Sequence, residues 1–299
     1  THYKVKFPNA NTRISKSGNY LISVLDIYDN LIFSRRITFY ENKTTVGVSV
    51  IRNRNTLLNN QQQTVQFSIN YNSNSIKNPS QEIKVAVVQN NIWNTAITNL
   101  KPQFFRNNQL IYKHIDKSNF WSGNEYLNFD NKQIRNSTVQ ISHVEKKDIF
   151  HSYLYTQVDR SLKPYTYFPD INGQFIIRTI EGNNPSTEAD YALVHFSLKS
   201  DSIDSNDIFV YGAFNNFETS TENKMTYNPS TKNYEAAILL KQGFYNYTFV
   251  TKKETINTHK LNGSFSQTEN EYTVLVYYRP FGGDYDQVIG LGKGTINEQ

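Results

Sequence analysis

The sequence contains no cysteine, a single methionine and only eight alanines among its 299 residues. The absence of cysteine excludes disulfide bonds, zinc–thiolate centres and a cysteine nucleophile. Alanine and methionine are strong helix formers, so their scarcity argues against a Rossmann sheet, a TIM barrel or a helical bundle. No stretch approaches 18 consecutive apolar residues, which excludes a membrane-spanning helix.

The abundant residue types favour strands and turns. The chain has 38 asparagines, 21 tyrosines and 19 phenylalanines. Aromatic and β-branched side chains suit pleated, half-buried strands, whereas asparagine favours turns. Short alternating segments recur between turn-rich connectors, a pattern typical of an immunoglobulin-like sandwich. We therefore predict an all-β protein built from tandem immunoglobulin-like or fibronectin-like β-sandwich domains.

The net charge of +5 is divided unevenly along the chain. Residues 1–200 carry 23 basic and 14 acidic side chains, whereas residues 201–299 carry eight basic and 12 acidic ones. Opposite net charges in the two parts favour separate domains. The basic side chains are scattered among predicted strands and are not grouped as on an RNA-binding surface or a recognition helix, so no nucleic-acid partner is expected.

Turn signals divide the chain into three predicted domains. Residues 1–42 contain one hairpin, which is too small to bury a core alone, so they either pack on a neighbouring domain or are the terminal strands of an incomplete N-terminal sandwich. Residues 43–199 form a predicted central sandwich, and residues 200–299 form a predicted C-terminal sandwich. The polar run Lys199–Asn206 is the predicted linker between them.

The alternating segments place the strands within these domains. Asn91–Leu100 stays ambiguous, because its apolar residues also have weak helical spacing. The predicted strands are Tyr20–Asp26, Leu31–Tyr40, Val46–Arg52, Thr64–Tyr71, Glu82–Gln89, Gln109–His114, Ser137–Val144, Ile149–Gln157, Gly173–Ile180, Tyr191–Leu198, Asp207–Tyr211, Lys224–Asn228, Tyr234–Leu240, Gly243–Thr251 and Glu271–Arg279.

Side chains capable of chemistry are dispersed. Among the histidines, only His143 and His151 could meet, across a hairpin, and we interpret them as unrelated imidazoles. Two carboxylate pairs have the spacing that puts both acids on one strand face: Glu188 with Asp190, and Asp284 with Asp286. We interpret them as solvated turn or edge residues and predict no catalytic residue, no metal site and no cofactor. A glycoside hydrolase acting through Glu188 and Asp190 is the catalytic alternative.

Two aromatic connectors are the best candidates for contact with a partner. Phe120 and Trp121 lie in a polar, glycine-containing stretch that also includes Glu125, and Trp93 lies in a similar connector. Exposed aromatic side chains are enriched at interface hot spots, and connectors on rigid scaffolds tend to carry function. We predict these four residues as partner contacts. The alternative is that the rings cap the ends of a sandwich.

The C-terminal part resembles the early-Set sandwich domains that are related to glycogen-binding modules. The resemblance rests on Asp207–Phe217, Met225 and Leu239–Tyr247. In that family an aromatic residue, normally tryptophan, begins a sugar-stacking surface at the position of Phe217. The resemblance thus implies a fold, and as an alternative function it implies a carbohydrate-binding accessory protein, although carbohydrate is not the partner that we expect.

Nearly the whole chain resembles the plug protein family of the Bacteroidetes type IX secretion system, in the order and spacing of several short motifs. These motifs are Ser17–Leu21, Asn78-Pro79, Val85–Asn90 with Trp93, Leu100–Phe104, Gly123–Tyr126, Phe129-Asp130 with Arg135, Asp170–Gly173, Glu188–Tyr191 and Lys241–Tyr247.

This resemblance implies a non-enzymatic protein of the periplasm, peripheral to the outer membrane and not itself inserted in a membrane. Its implied partner is a large outer-membrane β-barrel translocon protein. Occupying the periplasmic mouth of that barrel would prevent leakage by steric occlusion, which requires no catalytic residue.

Overall fold

The computed structural model describes residues 3–200 and 207–296. Residues 201–206 of the predicted linker therefore lie outside the described residues. In the described part, no helix is long and apolar enough to cross a membrane.

Strands β1 to β9 and one short helix come first along the chain. They are β1 (Gly18–Leu25), β2 (Leu31–Phe39), β3 (Thr45–Arg52), β4 (Gln62–Asn70), α1 (Pro79–Glu82), β5 (Ile83–Gln89), β6 (Ile92–Thr98), β7 (Phe104–Arg106), β8 (Gln109–Tyr112) and β9 (Asn119–Trp121).

The remaining elements follow in order. They are β10 (Leu127–Asp130), β11 (Ile141–Lys146), β12 (Phe150–Leu154), β13 (Gln157–Val158), β14 (Phe175–Ile177), α2 (Pro185–Glu188), β15 (Tyr191–Lys199), β16 (Asp207–Tyr211), β17 (Thr226–Asn228), β18 (Asn233–Lys241), β19 (Gly243–Lys252), β20 (Ile256–Asn257), β21 (Glu271–Tyr278) and β22 (Gln287–Thr295).

The chain divides into two compact units, and unit 1 comprises residues 1–59, 63–120 and 270–299. One of its sheets has the strand order β22-β21-β5-β6, and another has the order β3-β4-β8-β7, with β9 also paired to β4. Alternate side chains of these sheets fill one core, which includes Phe67, Val87 and Val274. The β1–β2 hairpin forms a separate two-stranded sheet.

Unit 2 comprises residues 60–62 and 121–269. In one sheet β19 pairs with β10, β14, β16 and β20, and the other sheet has the order β11-β12-β15-β18-β17, with β13 paired to β15. Phe129, Phe196 and Tyr247 lie in the core of this unit. The chain is thus almost entirely β in its described part, which confirms the predicted all-β class of tandem β-sandwiches.

The compact units differ from the three consecutive domains that the sequence predicts. Strand β15, at the end of the predicted central sandwich, pairs over most of its length with β18 of the predicted C-terminal sandwich. Strand β21, near the end of the chain, pairs with β5. Backbone pairing between distant segments therefore interleaves the predicted central and C-terminal domains.

The ambiguous segment 91–100 is strand β6. Asn90 and Asn91 both have positive φ angles, 50° and 61°, and they connect β5 to β6 through a tight hairpin turn. Asparagine tolerates this left-handed conformation better than most side chains do. The hairpin turn, together with pairing to β5, overrides the weak helical spacing.

Candidate functional site

Trp93 lies on β6 in unit 1, where its ring is half-buried. The guanidinium of Arg36, on β2, lies over the ring at 4.5 Å from its centre. Beside it, the side-chain amide of Asn19 on β1 donates to the hydroxyl of Tyr277 on β21 at 2.9 Å. Trp93 therefore already has an intramolecular partner that holds the β1–β2 hairpin against the four-stranded sheet.

Phe120 and Trp121 are neighbours on β9, and strand alternation sends their side chains in opposite directions. Phe120 is only 5% exposed and packs in the core of unit 1, with its ring centre 5.2 Å from that of Tyr272. Trp121 is 37% exposed and stacks on His259, with the ring centres 4.0 Å apart. Burial lowers the pKa of His259 and so favours the neutral imidazole.

Hydrogen bonds made by its backbone groups hold the connector formed by residues 121–126 in place. The amide of Gly123 donates to the Ser264 hydroxyl at 3.0 Å. The carbonyl of Gly123 accepts from the amide of Phe265 and from the hydroxyl of Thr268, both at 2.9 Å. Trp121 is consequently presented from a rigid connector.

Glu125 is buried in unit 2, with 1% of its surface exposed. Its Oε1 accepts a hydrogen bond from the Tyr165 hydroxyl at 2.5 Å and from the Glu269 amide at 3.3 Å. Its backbone carbonyl accepts from the guanidinium of Arg160 at 3.0 Å. The side chain therefore stabilises the connector from inside, where it is not accessible to a partner.

A second carboxyl group, that of Asp170, interacts electrostatically with that of Glu125. Asp170 also accepts from the backbone amides of Tyr126 and Asn172, each at 2.6 Å. Burial, reinforced by the neighbouring Asp170 charge, raises the pKa of Glu125 to about 7, and burial also raises the pKa of Asp170. Burial lowers the pKa of the adjacent Arg160 to about 10. The pair can hold one proton between two carboxyl groups near neutral pH.

His143 and His151 do not meet across the hairpin of β11 and β12. His143 stacks on Tyr153 with ring centres 4.3 Å apart, and Nδ1 of His151 lies 2.9 Å from Nε2 of His195 on β15. Burial lowers the pKa of His195. Within residues 3–200 and 207–296, no three histidine, aspartate or glutamate side chains are grouped so that they could hold a metal ion.

The carboxylates of the predicted pairs make local contacts. Glu188 accepts from the backbone amide of Asn184 at 2.6 Å and thereby caps α2. Asp190 accepts from the amide of Tyr191 at 2.8 Å. Asp286 forms an ion pair with Arg279 at 2.9 Å. These contacts stabilise turns and strand ends.

Phe217, the residue at the sugar-stacking position of early-Set domains, is 6% exposed. Its ring packs on that of Tyr211, with the centres 5.5 Å apart. A buried ring offers no face to a sugar.

Sequence reasoning singled out Glu125 but missed the residues that surround it. Tyr165 and Arg160 lie in the irregular segment after β13, and Asp170 is named in the sequence analysis only as part of the Asp170–Gly173 motif. These partners are separated from Glu125 by 35 to 45 residues of chain. The one local signal was the Asp170–Gly173 motif, whose composition is that of an ordinary turn.

Comparison with known proteins finds one match to a short N-terminal segment and one to nearly the whole chain. Residues 1–41 match the family model of the type 9 secretion system plug protein 1st domain. A crystal structure of a hypothetical protein from Parabacteroides merdae is similar over 97% of this chain and 74% of that one, with 33% sequence identity and a TM-score of 0.91. No curated protein matches the chain.

Proposed function

We propose that the chain, whose residues 1–41 match the type 9 secretion system plug protein 1st domain, is a non-enzymatic plug of the outer-membrane translocon barrel of that system. It binds the periplasmic mouth of the barrel and occludes it while no substrate is in transit. The match of the N-terminal hairpin region to the first plug domain carries this proposal. The proposed location is the periplasm, at the inner face of the outer membrane.

The construction of each unit suits steric occlusion. Both units have a continuous aromatic and aliphatic core between extensively paired strands. Protein interiors of this kind are close-packed and resist deformation. Occlusion depends on bulk and shape, so the binding affinity need only be sufficient for regulated release.

We propose Trp121 and Trp93 as residues that contact the barrel. Trp121 is the more accessible, because it is exposed on one side and held by His259 and the 121–126 connector on the other. One face of Trp93 is covered by Arg36. The buried Phe120 and Glu125 would act indirectly, by fixing the segments that carry the contacts.

Capture of the barrel tests this function directly. The full-length protein, used as bait on solubilised outer membranes, is expected to recover one very large β-barrel protein at near-equal stoichiometry. Trp121→Ala is expected to weaken capture by about tenfold or more, as for an interface hot spot. Tyr155→Ala, which removes another exposed ring of unit 2, serves as the matched control.

Deletion of the gene provides a second measurement. Cells without the plug are expected to admit a large antibiotic that the intact outer membrane excludes. Recovery of no barrel, together with unchanged permeability of the deletion strain, would show that the protein is not a plug.

The alternative of a carbohydrate-binding accessory protein requires an exposed sugar-stacking ring. Phe217 is buried against Tyr211, so no specific feature of the C-terminal segment favours this alternative.

A further inference from the structure

One end of the sheet formed by β3, β4, β8 and β7 bears a cleft with a volume of about 610 Å³. We call it the amide cleft, because side-chain amides predominate in its lining. Three segments form it: residues 42–45 before and at the start of β3, residues 70–72 at the end of β4, and residues 106–109 in the β7–β8 turn. All of them belong to unit 1. The volume is within the range of about 300–1,000 Å³ that is usual for ligand sites.

The charges in the amide cleft have one sign. Lys43 and Arg106 line it, and no lining residue carries a carboxylate. Lys43 is paired with Glu41 at 2.6 Å, outside the lining. Arg106 is exposed and forms no ion pair with any described residue. Its guanidinium is therefore free to bind a carboxylate through two parallel hydrogen bonds.

The amides supply the remaining chemistry. Five asparagines and Gln109 line the cleft. Each side-chain amide offers both donors and an acceptor, which is what the N–H and C=O groups of an extended peptide require. The side chains of Asn42 and Asn108 make no hydrogen bond with another described residue, so their amides are available.

The backbone around the amide cleft is held in place before any ligand arrives. The amides of Lys43 and Thr44 both donate to the carbonyl of Ile289 on β22, at 2.9 and 3.1 Å. The amide of Tyr71 donates to the carbonyl of Asn108 at 2.9 Å. Preorganisation of this kind reduces the entropy lost on binding.

The net charge of unit 1 as a whole also favours an acidic partner. The sequence of this unit contains 17 basic and nine acidic side chains, a net charge of +8, whereas that of unit 2 contains 14 basic and 17 acidic ones. A surplus of this size attracts an acidic surface and speeds its association.

The lining of the cleft contains one aromatic side chain, that of Tyr71. It packs against the core of unit 1 and is therefore not presented for stacking on a sugar.

We propose that the amide cleft binds an extended, acidic segment of the partner protein, with Arg106 as its principal carboxylate-binding side chain. This inference rests on the proposed function, since the partner is the translocon barrel. The amides around Arg106 bind the backbone of the segment.

Charge-neutralising variants of the full-length chain test the proposal. Affinity for the purified barrel in detergent is measured at about 50 mM salt, where charges are weakly screened, and at about 300 mM salt, where they are strongly screened. Arg106→Gln is expected to weaken binding about tenfold at the lower salt concentration and to reduce its salt dependence. Arg52→Gln is the matched control, because it removes the same charge from an exposed site at the opposite end of β3. It is expected to change affinity by less than about twofold.

The outcomes separate this inference from the proposed function. If the wild-type protein binds the barrel and the two variants bind it with equal affinity, the cleft has no role in binding, whereas the plug function is unaffected. Failure of the wild-type protein to bind any barrel would overturn the plug function and the barrel as partner.

A peptide titration then examines the cleft by itself. A capped peptide of alternating glutamate and serine is expected to bind the wild-type protein and not Arg106→Gln. Binding of a uronate-containing disaccharide without peptide binding, or binding of neither probe, would overturn an acidic protein segment as the occupant.

Discussion

At the scale of single residues, Glu125 shows how burial changes the role of a charged side chain. The sequence predicts it as a partner contact, and its carboxyl group lies beneath the 121–126 connector with Tyr165 and Asp170. An isolated buried carboxylate is costly, and a shared proton lowers that cost. The protonation of Glu125 therefore makes the stability of the connector depend on pH.

The raised pKa of Glu125 predicts a pH-dependent stability. A carboxyl group with a higher pKa in the folded state contributes stability that is complete below its ordinary pKa of 4.5 and is lost as the pH rises through about 7. Glu125→Gln keeps the shape and can still accept from Tyr165 and donate to Asp170. We expect this variant to exceed the wild-type unfolding free energy at pH 8 by about 3 kcal/mol and to have a flatter pH profile.

Denaturant titrations between pH 5 and pH 8 measure this effect. Glu218→Gln, at an exposed site, is the control and should follow the wild-type profile. An unchanged slope in Glu125→Gln would mean that the buried pair does not hold the proton.

At the scale of elements, β22 is the longest of the strands that local patterns fail to predict. It contains Gly290, Gly292 and Gly294, and glycine disfavours strands. The structure explains all three, because a Cβ at each position would come within 3.0 Å or less of a side chain of residues 44–48. The glycines let β3 approach β22 closely.

Gly292→Ala tests this close approach. The added Cβ would lie 2.7 Å from Cβ and Cγ1 of Val46 and 2.8 Å from its carbonyl oxygen, so one of the strands must shift. We expect a loss of about 1–3 kcal/mol in unfolding free energy, as for overpacking in a core. Gly47→Ala on β3 is the matched control, since its Cβ would meet only the Ser68 hydroxyl at 3.6 Å. Equal stabilities of the two variants would contradict the packing argument.

At the scale of the whole molecule, the chain leaves unit 1 near residue 120 and returns to it near residue 270. The returning strands β21 and β22 supply buried residues, including Val274, Val276 and Ile289, and β21 lies between β22 and β5 in their sheet. Unit 1 is thus completed only when the C-terminal strands have been added. Among the described residues, the strand pairs from β10 to β20 lie within residues 121–269.

Truncation after residue 269 should therefore affect the two units differently. We expect limited proteolysis to cleave residues 1–120 of the truncated chain rapidly, because their sheet loses its buried central strand, while residues 121–269 stay protected. Mass spectrometry of the fragments identifies the sites. A chain that ends at residue 296 retains every described strand and is the control. Equal protection of residues 1–120 in both chains would contradict a unit completed by β21 and β22.

The sequence by itself determined the all-β class, most strand positions and the resemblance to a secretion plug family, because strand periodicity, turn residues and short motifs are local properties. Strand β16, for example, coincides with its predicted range, Asp207–Tyr211. The pairing of β15 with β18 and of β21 with β5 was decided only in the tertiary structure, because backbone hydrogen bonds between distant strands leave no local signal. The same holds for the environment of Glu125 and for the amide cleft. Each brings together side chains from segments that are far apart in the chain, and their burial and charge arise only when those segments meet.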